Sequence, residues 1–461
     1  MECLIRFRQM HETFRRPESE ALADLHGFAI EWLSYSDDSP FALVRFSDTI
    51  DPLSAARALA SRSILIWSVH ELWGEGTDYA TLHSNITRRT SQLWSAYREP
   101  SFRFVFDSHQ HSRSTSDQRA IFEELAYLDL QGPIVMKNPD HLFTIFEDYE
   151  VHKNTPKALF FGRLLAESSA GAKAVVQYNL KKRKYIATTS MDAELSLITA
   201  NIALCRPGCL AYDPFMGTGS FPLAAAHFGS TVFGSDLDGR SIRGKKGRNV
   251  AANFTQYGTS ARYLDGFAAD LTNTPLRKAR CLDAILCDPP YGVREGLKVL
   301  GSTRDHLQQE IVLRDGTLAH LKDDYIPPRK AYSFPRMLDD ILTFSVDMLV
   351  SGGRLSMWMP VAGAVEEEQG RSNDGQDREE KVEEYALPRH PALVLVSQCR
   401  QDFNKWSRRL LTYRRLDDSE VDAQALAAYE MQKLQLQSDD DSGGTADDLN
   451  EFRKKYFQGF K

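Results

Sequence analysis

Between residues 210 and 413 the chain alternates short apolar runs with helix-forming stretches, and three of the runs end in a carboxylate. The runs cover 210–213, 231–236, 261–264, 282–288, 353–360, 393–399 and 410–413. Helical periodicity fills gaps at 220–228, 241–257 and 333–350. Strands and helices repeat in this way when parallel strands are joined by crossover helices on both faces. The expected fold class is therefore α/β, with a doubly wound, mostly parallel sheet. In such sheets ligands bind outside the carboxyl ends of the strands, which is where the acids Asp213, Asp236 and Asp288 fall.

The first run leads into Tyr212-Asp213-Pro214-Phe215-Met216-Gly217-Thr218-Gly219-Ser220. Glycines between a strand and a helix let the backbone approach a cofactor, and the helix start offers unpaired N–H groups to an anionic group. Pro222 stands where a dinucleotide fingerprint has its third glycine, which argues against a nicotinamide cofactor. Asp213 instead suits a cofactor with a cationic amino-acid end. Asp236 follows Gly217 by 19 residues, the spacing at which a carboxylate accepts from ribose hydroxyls. Asp238 reads as a helix cap, and Asp270, after the third run, as an acceptor for an adenine amino group.

Cys287-Asp288-Pro289-Pro290-Tyr291-Gly292 is the most specific local pattern. The exocyclic amine of a nucleobase is a poor nucleophile because its lone pair is delocalised into the ring. The Asp288 carboxylate and the Pro289 carbonyl together accept both amine hydrogens and favour a pyramidal nitrogen. Pro289 and Pro290 stiffen the loop and fix the direction of that carbonyl. Tyr291 offers a flat face for a flipped base, worth about 1–3 kcal/mol. Methyl transfer from a sulfonium is an in-line displacement, so holding amine and methyl carbon in contact supplies much of the rate.

Residues 1–150 mix β-like runs at 3–7, 41–46, 63–69 and 102–106 with helical patterns at 18–33 and 116–128, an α+β module without catalytic spacing. Residues 297–330 and 366–384 interrupt the α/β region, and the second of these, polar and aperiodic, reads as disordered. Beyond 416 lies an acidic tail, low in complexity at 438–448, with a helical pattern at 421–437. The net charge of −7 hides a division. Residues 366–384 carry a net −6 and 417–451 a net −10, so setting aside those 16 charges leaves +9. A basic body with acidic appendages is compatible with a polyanionic partner. Six scattered cysteines without a CxxC pair suggest neither a disulfide framework nor a zinc site, and no metal is expected. Without an apolar leader or a membrane-length apolar run, the expectation is a cytoplasmic protein.

These motifs, with the upstream NLKKRKYIATTSMDAEL, the N-terminal CLIRFRQMHETFRRPE and the later IPPRKAYSFPRMLDDIL, resemble the catalytic subunit of the tRNA guanine-10 N2-methyltransferase family. The resemblance covers residues 1 to about 416. It implies an N-terminal module (1–60), a THUMP-like RNA-binding domain (61–170) and a Rossmann-fold methyltransferase domain (171–416); the acidic, partly disordered tail (417–461) lies outside it and is read from composition alone. It implies S-adenosylmethionine, held at Asp213, Gly217, Thr218, Gly219, Asp236 and Asp270, with Thr189, Ser190 and Asp192 over the cofactor. It places amine recognition at Asp288, Pro289, Pro290 and Tyr291. It further implies two partners: tRNA, and a small zinc-containing activator protein that adds to the sheet edge.

For RNA contact the basic run Lys181, Lys182, Arg183 and Lys184 borders the expected methyltransferase core. Arg240, Arg243, Lys245, Lys246 and Arg248 crowd one expected helix, and Arg6, Arg8, Arg15 and Arg16 mark the N-terminus. Phosphate contacts of this kind supply affinity without reading sequence. The four-residue Asp-Pro-Pro-Tyr loop also fits amine methylation of rRNA, DNA adenine or protein glutamine. A non-catalytic RNA-binding scaffold is the remaining alternative.

Overall fold

The pattern at 210–413 is the second of two compact units in a computed structural model, which divides the chain at residues 1–177 and 178–461. The structure describes residues 1–293, 296–302, 311–322, 325, 327–362, 387–403, 406–440 and 449–458. The acidic segment 366–384 lies outside the described residues.

The first unit is built on β1 (Glu2–Phe7), β2 (Ile30–Ser34), β3 (Phe41–Phe46), β4 (Ile66–Gly76), β5 (Phe102–His109), β6 (His141–Tyr149) and β7 (Pro156–Glu167). They form one sheet in the order β2-β3-β1-β4-β7-β6-β5, antiparallel except for β5 beside β6. The expected division at 60/61 falls inside this sheet, because β1 pairs with β4. The helical pattern at 18–33 resolves into helix α1 (Arg15–Leu25) followed by β2. Gly27, at φ +74°, takes the left-handed conformation that ends the helix. Three arginines expected at RNA are bound within the unit. Buried Arg6 pairs with Asp107 at 2.8 Å, Arg8 donates to the carbonyls of Ile64 and Ser168, and buried Arg15 donates to those of Arg8 and Asp37. Arg16 pairs with Glu20 on the surface of the same helix.

The second unit contains β8 (Leu210–Asp213), β9 (Thr231–Asp236), β10 (Tyr263–Ala268), β11 (Leu282–Cys287), β12 (Lys298–Leu300), β13 (Arg329–Ala331), β14 (Leu349–Ala362), β15 (Leu393–Asp402) and β16 (Trp406–Arg415). Its main sheet has the order β10-β9-β8-β11-β14-β16-β15, with parallel pairing from β10 to β14 and antiparallel pairing at β16 and β15. The sheet is thus mixed, as a doubly wound sheet with an antiparallel edge. Strand β12 pairs with β13 as a separate antiparallel ribbon within the region read as an interruption.

Helix α2 (Ala193–Ile202) precedes β8, and α3 (Ser220–His227) follows it. The helix expected at 241–257 is broken into α4 (Gly239–Arg243) and α5 (Val250–Gln256). Gly244, Lys246 and Gly247 between them have positive φ, and a Cβ at Gly244 would lie 1.8 Å from the Arg248 carbonyl oxygen. Helix α6 (Phe334–Met348), capped by Ser333, buries Met337, Leu338, Ile341, Leu342 and Met348 against the sheet.

The tail carries a helix where one is expected at 421–437, and residues 441–448 of its low-complexity stretch lie outside the described residues. Helix α7 (Ala423–Asp440) lies on α6, where Lys433 meets Asp339 and Asp340 at 3.2 and 3.1 Å and the Tyr429 hydroxyl donates to Asp339. Helix α8 (Glu451–Gln458) follows, with Phe452 fully buried. Among the described residues no helix is long and apolar enough to cross a membrane, and no group of three His, Cys, Asp or Glu side chains is placed to hold a metal ion.

Candidate active site

The carboxyl ends of β8, β9 and β11 open on one cleft of about 560 Å³, lined by the glycine turn, by Asp236 and Asp270 and by the Asp288 loop. Gly217 and Gly219 have φ +48° and +82°, a region that side chains disfavour. The Gly219 N–H is bonded to the Met216 carbonyl at 2.7 Å, so this glycine shapes the turn without lining the cleft. Gly217, Thr218 and Ser220 do line it.

Burial raises the pKa of three acids here. Asp213 is pushed well above the carboxylate range by desolvation, relieved in part by the Phe215 N–H (2.9 Å) and aggravated by Asp236 and Asp288. Asp236 is raised by desolvation too, although its carboxylate accepts from the N–H groups of Gly217 (2.9 Å) and Asp238 (2.8 Å). Asp288 is raised by burial against the opposing pull of Arg408 and the Tyr291 hydroxyl. Carboxylates gathered in one cleft at an electrostatic cost suit a cationic occupant, which lowers that cost. The residues therefore fit S-adenosylmethionine, whose sulfonium and ammonium groups outnumber its carboxylate.

Asp270 lies in the cleft wall, where it accepts from the Thr272 N–H and hydroxyl, both at 2.8 Å, and from the Leu300 N–H of β12 at 2.7 Å. It thereby anchors the ribbon, whose Lys298 and Arg329 also line the cleft. Thr189 and Ser190 lie at the rim, and the Ser190 hydroxyl is 2.7 Å from that of Thr218. Asp192 does not line the cleft. Its side chain caps α2, accepting from the Leu195 N–H at 2.8 Å.

On the far side, Asp288, Pro289, Pro290 and Tyr291 all line the cleft. The Tyr291 hydroxyl donates to Asp288 Oδ1 at 2.5 Å, while Arg408 Nη1 stands 3.7 Å from Oδ2. Arg408, from β16, lies over the Trp358 ring at 4.4 Å and donates to Gln401 at 2.7 Å. It escaped the sequence reading because it lies 120 positions from Asp288 and outside any motif.

The basic run divides. Lys181, Lys182 and Lys184 are exposed. Arg183 is only 6% exposed and donates to the Ser220 hydroxyl at 2.8 Å, so it braces the start of α3 and is not available to RNA. Beside the cleft, a basic groove of about 540 Å³ is lined by Lys184, Arg240, Lys245 and Arg248 as well as Arg183, and Tyr185 borders both cavities.

Residues 1–170 match the family described as the Tmrp11 THUMP N-terminal domain, and residues 181–303 match the RMKL-like methyltransferase domain. Fold and cleft together thus define an S-adenosylmethionine-dependent methyltransferase carrying an N-terminal THUMP region. Among curated relatives, a Saccharomyces cerevisiae tRNA (guanine(10)-N(2))-methyltransferase is 42% identical over 88% of this chain and 91% of its own length. The Schizosaccharomyces pombe protein of the same name is 36% identical over 90% and 89% of the two chains. Human tRNA (guanine(10)-N(2))-methyltransferase TRMT11 is 31% identical over 99% and 95%. The chain belongs to the tRNA (guanine(10)-N(2))-methyltransferase family. Of solved structures, TrmN from Thermus thermophilus aligns over 90% of this chain and all of its own at 16% identity, with a TM-score of 0.41.

Proposed function

We propose that this chain transfers a methyl group from S-adenosylmethionine to the exocyclic N2 amine of guanosine 10 in tRNA. The observation that carries this reading is the Asp288 loop, set at the end of β11 and facing the same cleft as the glycine turn and Asp236. Asp213, Gly217, Thr218, Asp236, Asp270, Thr189 and Ser190 would hold the cofactor, with Gly219 shaping the turn, while Asp192 caps α2 outside the cleft. When bound, the cofactor supplies an electrophilic methyl group on a sulfonium centre.

The protein's own contribution is to present the amine. Asp288 and the Pro289 carbonyl accept its two hydrogens, which localises the nitrogen lone pair and aims it. Arg408 opposes the effect of burial and favours the ionised, accepting form of Asp288. The Tyr291 hydroxyl covers Oδ1 when no base is present and yields that position to the incoming amine, while its ring offers a stacking face.

As catalytic subunit the chain would act in the cytoplasm with tRNA and a small zinc-containing activator. The family likeness supports this partner, and so does the sheet. Strands β10 and β15 end its order, and Leu264 on β10 is 62% exposed. An open edge with an exposed apolar side chain suits strand addition by another protein. Exposed Lys181, Lys182 and Lys184 would contact RNA phosphates.

The test supplies unmodified tRNA transcripts and labelled methyl donor to the chain co-expressed with its activator, followed by nucleoside mass spectrometry and mapping. N2-methylguanosine at position 10 is expected. N6-methyladenosine, or label in protein, would overturn the reading. Asp288→Ala should abolish turnover and leave cofactor affinity near normal.

A further inference from the structure

The end of the acidic tail returns to the loop that presents the amine. Asn450, 1% exposed, donates through Nδ2 to the Tyr291 carbonyl at 2.9 Å. Its Oδ1 accepts from the Arg453 N–H at 3.0 Å and so caps α8. Arg453 Nη1 donates to the carbonyls of Gly292 and Val293 at 2.8 and 2.7 Å. Buried Phe452 places its ring 6.3 Å from Tyr291 and 6.0 Å from Trp406. The Leu449 carbonyl accepts from the Phe334 N–H, which ties the segment to the start of α6.

Residues 291–293 lie four to six positions beyond Cys287, the last residue of β11, and belong to no strand or helix. Three consecutive carbonyls in such a stretch need donors from elsewhere, and two side chains of the tail provide them. Phe452 alone would be ordinary packing. Asn450 and Arg453 instead grip the main chain of the loop that carries Tyr291, and through Tyr291 they bear on Asp288.

We infer that Asn450 and Arg453 are positioning residues for methyl transfer, the C-terminal segment serving as a clamp that holds the Asp288–Tyr291 loop in its amine-presenting form. The inference rests on the role proposed for that loop. A displacement of the loop by a fraction of an ångström misaligns the amine and lowers turnover, while the glycine turn and Asp236 stay in place for the cofactor.

Asn450→Asp keeps the size of the side chain and the oxygen that caps α8, but replaces the donor to Tyr291 with an acceptor. In the full-length chain with unmodified tRNA, this variant and Arg453→Ala should each lower kcat by about tenfold or more. Affinity for S-adenosylmethionine should change by no more than about twofold, and Arg453→Lys, whose ammonium can still donate to a loop carbonyl, should recover part of the loss. Hydrogen exchange gives a second readout that needs no turnover. Amides of Asp288 and of residues 291–293 should exchange faster in both variants, with those of the glycine turn at 215–219 unchanged. Normal kcat with unchanged exchange would overturn the inference. So would a uniform rise in exchange with equal losses of cofactor binding and turnover, which marks general destabilisation. If the wild-type chain methylates no tRNA, the proposed function fails, and the exchange pattern still decides whether the tail holds the loop.

Discussion

Asp213 sits in the cleft at an electrostatic cost, since desolvation raises its pKa well above the carboxylate range and both Asp236 and Asp288 add to the rise. A raised folded-state value means that the native chain binds more protons than the unfolded chain between the ordinary carboxylate pKa and the raised one. Stability without cofactor therefore falls as pH rises through that window, and the loss persists at neutral pH. Asp213→Asn removes the charge and keeps an oxygen for the Phe215 N–H. The melting temperature of the cofactor-free protein at neutral pH should rise, by about 2–4 °C per kcal/mol regained in a domain of this size. Cofactor affinity should fall by about ten- to a hundredfold. Calorimetry and a binding titration check both, and tighter binding by the variant would remove Asp213 from the cofactor site. Arg408 opposes the rise at Asp288, so Arg408→Met should move the acid limb of kcat/KM to higher pH. A limb that stays put would show that Arg408 has no hold on that carboxylate. Asp213 and Asp288 were readable in sequence because each closes an apolar run within a contiguous motif. Arg408, Asn450 and Arg453 reach the site only once distant segments meet, and no local pattern marks them.

Elements were legible where they rest on short-range signals. The ends of β8 and β9 follow from apolar runs closed by Asp213 and Asp236, and α6 from Ser333, Pro335 and its apolar face. Strands β2, β6 and β7 were missed although β2 pairs with the next strand, β3, and β6 with the next, β7; β2 lies inside the stretch 18–33 whose periodicity suggests one helix. The break between α4 and α5 had a local sign, Gly244 and Gly247, which the apolar periodicity overrode. Asp192 is the clearest exchange of roles. Read as lying over the cofactor, it caps α2, whose buried face packs beside α3. Asp192→Ala should cost about 1 kcal/mol, as the loss of a helix cap does, with no resolvable change in cofactor affinity. Denaturant titration measures the first quantity and equilibrium dialysis the second. A large loss of affinity at unchanged stability would return Asp192 to the cofactor.

Over the whole molecule, charge is sorted more finely than composition suggests. The acidic tail is partly spent on its own unit, where α8 reaches the catalytic loop, and most N-terminal arginines are engaged by carbonyls or carboxylates. Lys181, Lys182 and Lys184 stay exposed, the last beside Lys245 and Arg248 in the basic groove. Each lysine that neutralises a phosphate releases counterions and contributes about 0.7–0.9 to the slope of log affinity against log salt. Replacing all three with alanine should weaken tRNA binding most at low salt and reduce that slope by up to about 2–3. Cofactor affinity should not move. Arg183→Ala should behave differently despite its place in the same run. It removes the donor to Ser220 from a buried site, so it should lower the melting temperature and leave the salt slope alone. Filter binding across a salt series separates the two cases, and equal slopes for the triple variant and wild type would mean that tRNA phosphates lie elsewhere on the surface.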